Sequence, residues 1–129
     1  TILGSEARVE YSALDMGRIE DLFDGDPGSI TRGMEANPLR VEIYFDRPKT
    51  ISSLTLRVGG VATRVIARLY DAEGHDPLTL DKTVNENPLP RDVGLSLDQP
   101  IEALRVEIEG LSVNDGEPSH VHLWEIAFK

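Results

Sequence analysis

The sequence predicts an antiparallel β-sandwich of the jelly-roll type with about eight strands. Three observations lead to this prediction. Apolar residues alternate with polar residues in several short runs, turn-forming residues separate these runs, and no long segment has the period of an amphipathic helix. Short strands at this spacing, without helices between them, are typical of sandwiches and jelly rolls.

Each predicted strand places its apolar side chains on one face, because successive side chains of a strand point to opposite faces. In the first long run, Val41, Ile43 and Phe45 are the apolar members. Strands are predicted, in chain order, at residues 9–12, 41–45, 54–58, 65–69, 78–84, 93–97, 104–108 and 120–128. A single helical turn is predicted at residues 19–23.

Turn-forming residues lie where these strands are expected to end. Strand ends are predicted at Arg47-Pro48-Lys49, at Gly59-Gly60, at residues 71–74 and at Asp98-Gln99-Pro100. Residues 85–92, which include Pro88 and Pro90, are predicted to form a loop within the domain.

Length and composition indicate one globular domain spanning residues 1–129. The chain has 129 residues, of which 40% are hydrophobic and 28% charged, a profile typical of folded proteins. No apolar run approaches the ~20 residues that cross a bilayer, so no membrane insertion is expected. The chain starts at Thr1 without a signal peptide, which indicates a processed chain or a domain excised from a larger protein.

Charge and the lack of cysteine exclude several classes of function. Thirteen basic and 23 acidic residues give a net charge of −10, which opposes binding to nucleic acid and to anionic lipid. The same acidic character suits a cation such as calcium. Because the chain has no cysteine, disulfides, thiol catalysis and zinc sites with cysteine ligands are excluded.

The segment from Phe23 to Ser29 has the composition of a cation-binding turn. Oxygens of Asp24, Asp26 and Ser29 would converge on a hard cation, because glycine and proline between them allow a tight turn. A calcium loop of the helix-loop-helix type is excluded, since Ser29 stands where that loop requires glycine. The alternative is an ordinary Asp-Gly turn without an ion.

A wider order of short segments points to a known family. The segments are LFDGD at 22–26, RVEIYF at 40–45, RP at 47–48, ISSLTL at 51–56 and HLWEIAF at 122–128. Together they resemble the discoidin family, also called coagulation factor 5/8 type C domains. That family shares a galactose-binding-like jelly roll with many bacterial carbohydrate-binding modules, so the resemblance implies this fold for most of the chain.

The resemblance also implies a structural calcium ion between the early turn and the last strand. Glu125 lies in an otherwise apolar stretch, and a carboxylate near a core edge needs a partner. The alternative is that strand alternation points Glu125 at water. The implied ligands are a side-chain oxygen of Asp24, a backbone oxygen of Asp26, the carbonyl and hydroxyl of Ser29, the carbonyls of Asp21 and Trp124, and the carboxylate of Glu125.

The sequence departs from the family at one point that concerns ligand binding. Family members commonly continue the early turn as Thr-x-Trp, whereas this chain reads Ser29-Ile30-Thr31-Arg32. In related modules the ligand lies on loops at one end of the sandwich, where arginine and histidine contact sugar hydroxyl groups. The predicted ligand-binding residues are Arg32, Arg64 and His75, and the alternative for each is an ordinary surface position.

The resulting prediction is a non-catalytic carbohydrate-binding module of a larger extracytoplasmic protein. Its predicted partners are a glycan and the domains of its parent protein. The alternative is a structural or protein-interaction domain of the same fold, attached to a membrane-bound glycosyltransferase or hydrolase, which the aromatic content of 5% favours.

A third hypothesis is a small zinc enzyme that uses His120 and His122 with Asp115 or Glu117. Against catalysis, the sequence contains no Gly-x-Ser-x-Gly, no phosphate-binding glycine loop and no His-Glu-x-x-His motif.

Overall fold

The structure is a computed structural model. Its described part consists of eight β-strands and one 3-10 helix. The elements are β1 (Ala7–Tyr11), β2 (Leu14–Met16), the 3-10 helix (Ile19–Phe23), β3 (Thr31–Gly33), β4 (Leu39–Gly60), β5 (Thr63–Tyr70), β6 (Leu78–Val84), β7 (Asn87–Ser112) and β8 (His122–Phe128). The description leaves out residues 1, 3, 5, 13, 24, 26–30, 34–38, 61, 86 and 114–121. It also leaves out the side chains of residues 15, 16, 21, 31–33, 60, 87–89, 112, 122 and 124.

All strand pairs are antiparallel. The strands follow the order β2-β3-β8-β4-β7-β5-β6, and β1 pairs with β4 outside this path. The antiparallel all-β class predicted from the sequence is therefore confirmed. The strand count agrees roughly, because β4 and β7 each join two predicted strands and the short strands β2 and β3 were not predicted. No helix in the described residues is long and apolar enough to cross a membrane.

The two longest strands belong to both layers of the sandwich. The first part of β4 pairs with β1 and with the end of β7, from Leu39↔Gly110 to Tyr44↔Arg105. The last part of β4 pairs with β8 and with the beginning of β7. Register shifts between Tyr44 and Lys49 and between Ile51 and Ser53 separate the two parts.

The predicted strand ends at Arg47-Pro48-Lys49 and at Asp98-Gln99-Pro100 are wrong. Both segments lie inside continuous strands, β4 and β7. Proline cannot donate a ladder hydrogen bond, but a strand tolerates it where the pairing is already irregular. Pro48 occupies such a place, within the register shift of β4.

The predicted loop at residues 85–92 is also wrong over most of its length, because β7 begins at Asn87. Within that segment, Arg91 pairs with Val58, and Asp92 pairs with Arg57. Other predicted boundaries are confirmed. The first of the long strands ends at Gly60, β6 spans residues 78–84, and the helical turn covers residues 19–23.

The core lies between the two layers. Apolar residues on the inner sides of β4, β5, β7 and β8 form one buried cluster, to which the 3-10 helix contributes Leu22. Phe45 and Phe128 come from opposite parts of the sandwich and meet edge to face, with ring centroids 6.4 Å apart. This arrangement of aromatic rings is favourable because the positive edge of one ring faces the negative face of the other.

Leu56→Ala is expected to lower the free energy of unfolding by about 2–5 kcal/mol, because it leaves a cavity at a fully buried position. Leu78→Ala is the matched control. Leu78 is 40% exposed, so its truncation should change the stability by less than about 0.5 kcal/mol. Urea denaturation of both variants measures the difference, and equal stabilities would contradict this description of the core.

Candidate functional site

The closing strand meets the early turn at Glu125. The backbone N–H of Gly25 donates a hydrogen bond to Oε1 of Glu125 over 3.3 Å, although the two residues are 100 positions apart. Glu125 is half-buried, and its Oε2 atom is shielded from solvent. The 3-10 helix ends at Phe23 and therefore leads directly into this turn.

One described group at this junction, the Glu125 carboxylate, has the chemistry of a ligand for a hard cation. Oxygen is the ligand atom that calcium prefers. Glu125 supplies that oxygen directly beside Gly25. A cleft of about 210 Å³ opens here, lined in part by Phe23, Gly25, Glu125 and Phe128.

Most of the other predicted calcium ligands lie outside the described residues or are described by their backbone alone. Asp24, Asp26 and Ser29 lie outside the described residues. The backbone of Asp21 belongs to the 3-10 helix and that of Trp124 to β8, but their side chains are outside the description. The six-residue ligand set therefore stays a prediction.

Arg64, a predicted ligand-binding residue, is engaged on the outer face of the sheet. Its Nε donates to both carboxylate oxygens of Asp81, at 3.0 and 3.2 Å. The hydrogen bond from Arg64 lowers the pKa of Asp81. Because the Arg64 guanidinium already donates hydrogen bonds to a carboxylate, a sugar would have to compete with Asp81 for this guanidinium.

His75, another predicted ligand-binding residue, closes a turn after β5. Asp71 Oδ1 accepts hydrogen bonds from the N–H groups of Glu73 at 3.0 Å and of His75 at 3.3 Å. The ring Nδ1 of His75 lies 2.6 Å from Asp71 Oδ2. This hydrogen bond raises the pKa of His75 and lowers that of Asp71.

The acidic and imidazole groups of this turn also lie close enough to hold a metal. One ligand atom from each of Asp71, Glu73 and His75 falls within 4.8 Å of the others. However, both oxygens of Asp71 already accept hydrogen bonds inside the turn. The geometry therefore favours a role in ordering the turn.

The structure does not gather Arg64 and His75 at one site. Arg64 lies near the beginning of β5 and His75 follows its end, so the strand separates them by roughly 20 Å. The backbone of Arg32 is in β3 and pairs with His122 of β8, but neither side chain is described. His120, Asp115 and Glu117 lie outside the described residues.

Sequence reasoning missed a row of arginines and tyrosines across four strands. Arg8, Tyr44, Arg105 and Tyr70 are successive register partners on β1, β4, β7 and β5. The guanidinium carbon of Arg8 lies 4.4 Å from the centre of the Tyr44 ring, and that of Arg105 lies 3.8 Å from the centre of the Tyr70 ring. We call these four residues the Arg–Tyr row.

Hydrogen bonds and cation–π contacts engage the side chains of the Arg–Tyr row. Tyr44 donates a hydrogen bond to Glu42, which raises the pKa of Tyr44. Tyr70 donates to Glu107 over 3.3 Å. Because guanidinium groups already cover faces of these rings, the row is poorly suited to stacking against a sugar.

No protein-family model matches the chain, and no curated protein matches its sequence significantly. Among solved structures, the family 32 carbohydrate-binding module of Clostridium perfringens NanJ in complex with galactose aligns with a TM-score of 0.71. That alignment has 15% identity and covers 95% of this chain and 92% of the module.

This chain has the fold of the family 32 carbohydrate-binding modules. A second module, CpGH89CBM32-4 produced by Clostridium perfringens, gives a TM-score of 0.74 at 13% identity and covers 99% of this chain and 98% of its own. Chitosan-binding module 1 from a chitosanase/glucanase of Paenibacillus sp. IK-5 gives 0.67 at 18% identity, with coverages of 98% and 96%. The galactose-binding-like fold that the discoidin resemblance implied is confirmed by this match over nearly the whole chain.

Asp71→Asn is expected to lower the pKa of His75 toward its ordinary value, because the hydrogen bond to the Asp71 carboxylate is the main cause of the raised pKa. A raised folded-state pKa means that this contact stabilises the protein fully below the unfolded-state pKa of about 6.5. The stabilisation is lost as the pH rises through the folded-state pKa. An NMR titration of the histidine ring measures the shift.

Glu73→Gln is the control for this titration. The Glu73 carboxylate lies 3.7 Å from His75 Nδ1, and its charge is a smaller cause of the raised pKa. The pKa should therefore fall less in this variant than in Asp71→Asn. An unchanged His75 pKa in Asp71→Asn would contradict the described turn.

Proposed function

We propose that this chain is a non-catalytic carbohydrate-binding domain that holds a structural calcium ion and serves a larger extracytoplasmic protein. The observation that carries the proposal is the match in fold, which covers at least 95% of this chain and at least 92% of each compared module. Two of those modules are described by a sugar ligand, galactose or chitosan.

A binding role agrees with the way three of the described carboxylates are used. Glycoside hydrolysis generally needs two carboxyl groups that flank the scissile bond. On the outer sheet faces, the carboxylates of Asp81, Asp92 and Glu107 instead form ion pairs with arginines. These pairs favour a sheet surface that supports the fold.

The proposed calcium ion would fasten the early turn to the closing strand. Glu125 already reaches the turn at Gly25, and β8 pairs with β4 at the centre of the sheet order. An ion held there would connect the end of the 3-10 helix to the sandwich. Its contribution would be to stability and to the shape of the neighbouring turn, because calcium supplies no redox chemistry.

In a larger protein, such a domain would act by proximity. Weak binding at one site raises the local concentration of glycan around a linked partner. One of the compared modules derives from a chitosanase/glucanase, which supports an enzyme as the type of parent protein. The predicted extracytoplasmic location agrees with this role, since the glycans that a linked enzyme would act on lie outside the cytoplasm.

Calcium is expected to raise the thermal midpoint of the wild-type domain relative to chelator-treated protein. An ion that binds only the folded state adds about 2.7 kcal/mol at a free concentration of 100 times Kd. Glu125→Gln should remove most of this shift, because the variant loses the charged oxygen beside Gly25. Differential scanning calorimetry in calcium and in chelator measures both proteins.

Asp98→Asn provides the control for the calcium experiment, since Asp98 is an exposed carboxylate of β7. It should keep the full calcium-dependent shift. A wild-type midpoint that does not respond to calcium, or an equal response in Glu125→Gln, would contradict the proposed ion site.

Screening the domain on a glycan array with calcium present tests the sugar-binding role. Reproducible binding to one class of glycan is the expected result. Arg32→Ala, Arg64→Ala and His75→Ala then test the three residues predicted from the sequence. A blank array with folded protein would contradict the proposal and favour the alternative of a structural or protein-interaction domain.

A further inference from the structure

A groove runs along the flank of the domain between β1 and the 3-10 helix. Its volume is about 580 Å³, which is within the range of small-molecule sites. We call it the strand–helix groove. Its walls include Ala7, Val9 and Tyr11 from β1 and Ile19, Glu20 and Phe23 from the 3-10 helix.

Tyr11 occupies an unusual place in this groove. It pairs with Val41, whose side chain is fully buried, so the Tyr11 side chain lies on the face of β1 that is directed toward the core. Even so, Tyr11 is 49% exposed, which is more than the other exposed large apolar residues of the described chain. Its neighbours on the same side of the strand, Ala7 and Val9, are only half-buried.

The position of β1 explains this exposure. In the described part of the chain, β4 is the only strand that pairs with β1, so β1 lies at an edge of its layer. The short 3-10 helix lies on the other side of the groove, and Ile19 and Phe23 of that helix are also only half-buried. An aromatic ring and an apolar wall are therefore left open to solvent beside the core.

The rim of the groove adds polar groups. Glu20 lines the groove, and its Oε2 lies 3.5 Å from Nε of Arg18. Both side chains are mostly exposed, at 67% and 77%. A carboxylate accepts hydrogen bonds and a guanidinium donates them, so this pair offers both kinds of contact to hydroxyl groups.

We infer that the strand–helix groove binds a neutral sugar ring. Tyr11 would stack against the apolar face of the ring, and Glu20 and Arg18 would contact its hydroxyl groups. This combination of an aromatic face, an apolar wall and a few polar groups matches the chemistry of a pyranose, which is apolar on its C–H faces and polar at its edge. The inference rests on the proposed carbohydrate-binding function and names the surface and the class of sugar.

Charge selects neutral sugars over uronic acids. The Glu20 and Arg18 charges offset each other at the rim, and the chain as a whole carries a net charge of −10. A sugar carboxylate would therefore approach against the negative field of the whole chain. A neutral ring has no such cost.

The test measures binding by isothermal titration calorimetry, with calcium present and two sets of probes. Galactose, N-acetylglucosamine, fucose, mannose and glucose are the neutral set, and galacturonate and N-acetylneuraminate are the acidic set. The wild-type domain should bind at least one neutral sugar more tightly than either acidic one. Tyr11→Ala should weaken that binding by about ten-fold or more, through the loss of the stacking face.

Two variants serve as controls. Tyr11→Phe keeps the ring and should bind within about three-fold of wild type, because stacking does not need the hydroxyl group. Leu78→Ala removes an apolar side chain of similar exposure on β6 and should leave the affinity unchanged. Thermal unfolding of each variant confirms that it is folded.

The outcomes separate this inference from the proposed function. If the wild type binds a sugar and Tyr11→Ala binds it equally well, the groove is not the site, although the domain still binds carbohydrate. If an acidic probe binds at least as tightly as every neutral one, the assigned class of sugar is wrong. If no probe binds to folded protein, both the inference and the proposed function are contradicted.

Discussion

The pairing of β4 with β7 is the interaction on which the rest of the fold depends. These two strands are partners from Leu39↔Gly110 to Gly60↔Asn87, and they pass together from one layer to the other. Three further strands are placed directly by this pair, since β1 and β8 pair with β4 and β5 pairs with β7. The pairing of β8 with β4 thus helps to place the closing strand beside the early turn.

The sequence allowed the strand faces to be predicted well, because alternation along a strand depends on neighbours two residues apart. The predictions at Pro48 and Pro100 were wrong, because local turn signals predicted strand ends at positions that lie inside β4 and β7. A proline shows that a ladder hydrogen bond is missing, but not whether a register shift absorbs the loss. The short strands β2 and β3 were not predicted, since three residues are too few to show a period.

Site residues were harder to predict, because their roles depend on partners far along the chain. The resemblance to a family placed Glu125 beside the early turn, and its contact with Gly25 agrees with that placement. Residue type and an expected position in loops selected Arg64 and His75, whose nearest partners are Asp81 and Asp71 of the same domain. The exposure of Tyr11 depends on β1 being at an edge, which no local pattern reveals.

The Arg–Tyr row has a consequence for behaviour in concentrated salt. Ion pairs on an exposed sheet weaken as ionic strength rises, and charges more than about 8 Å apart are largely screened in physiological saline. A guanidinium stacked on a ring keeps its contact through dispersion and the ring quadrupole, which depend less on dissolved ions. Arg105 lies 3.8 Å from the Tyr70 ring centre and 5.9 Å from that of Tyr44. The contacts of Arg105 with Tyr70 and Tyr44 are therefore expected to persist in concentrated salt, where the surface carboxylate pairs of this strongly acidic protein are weakened.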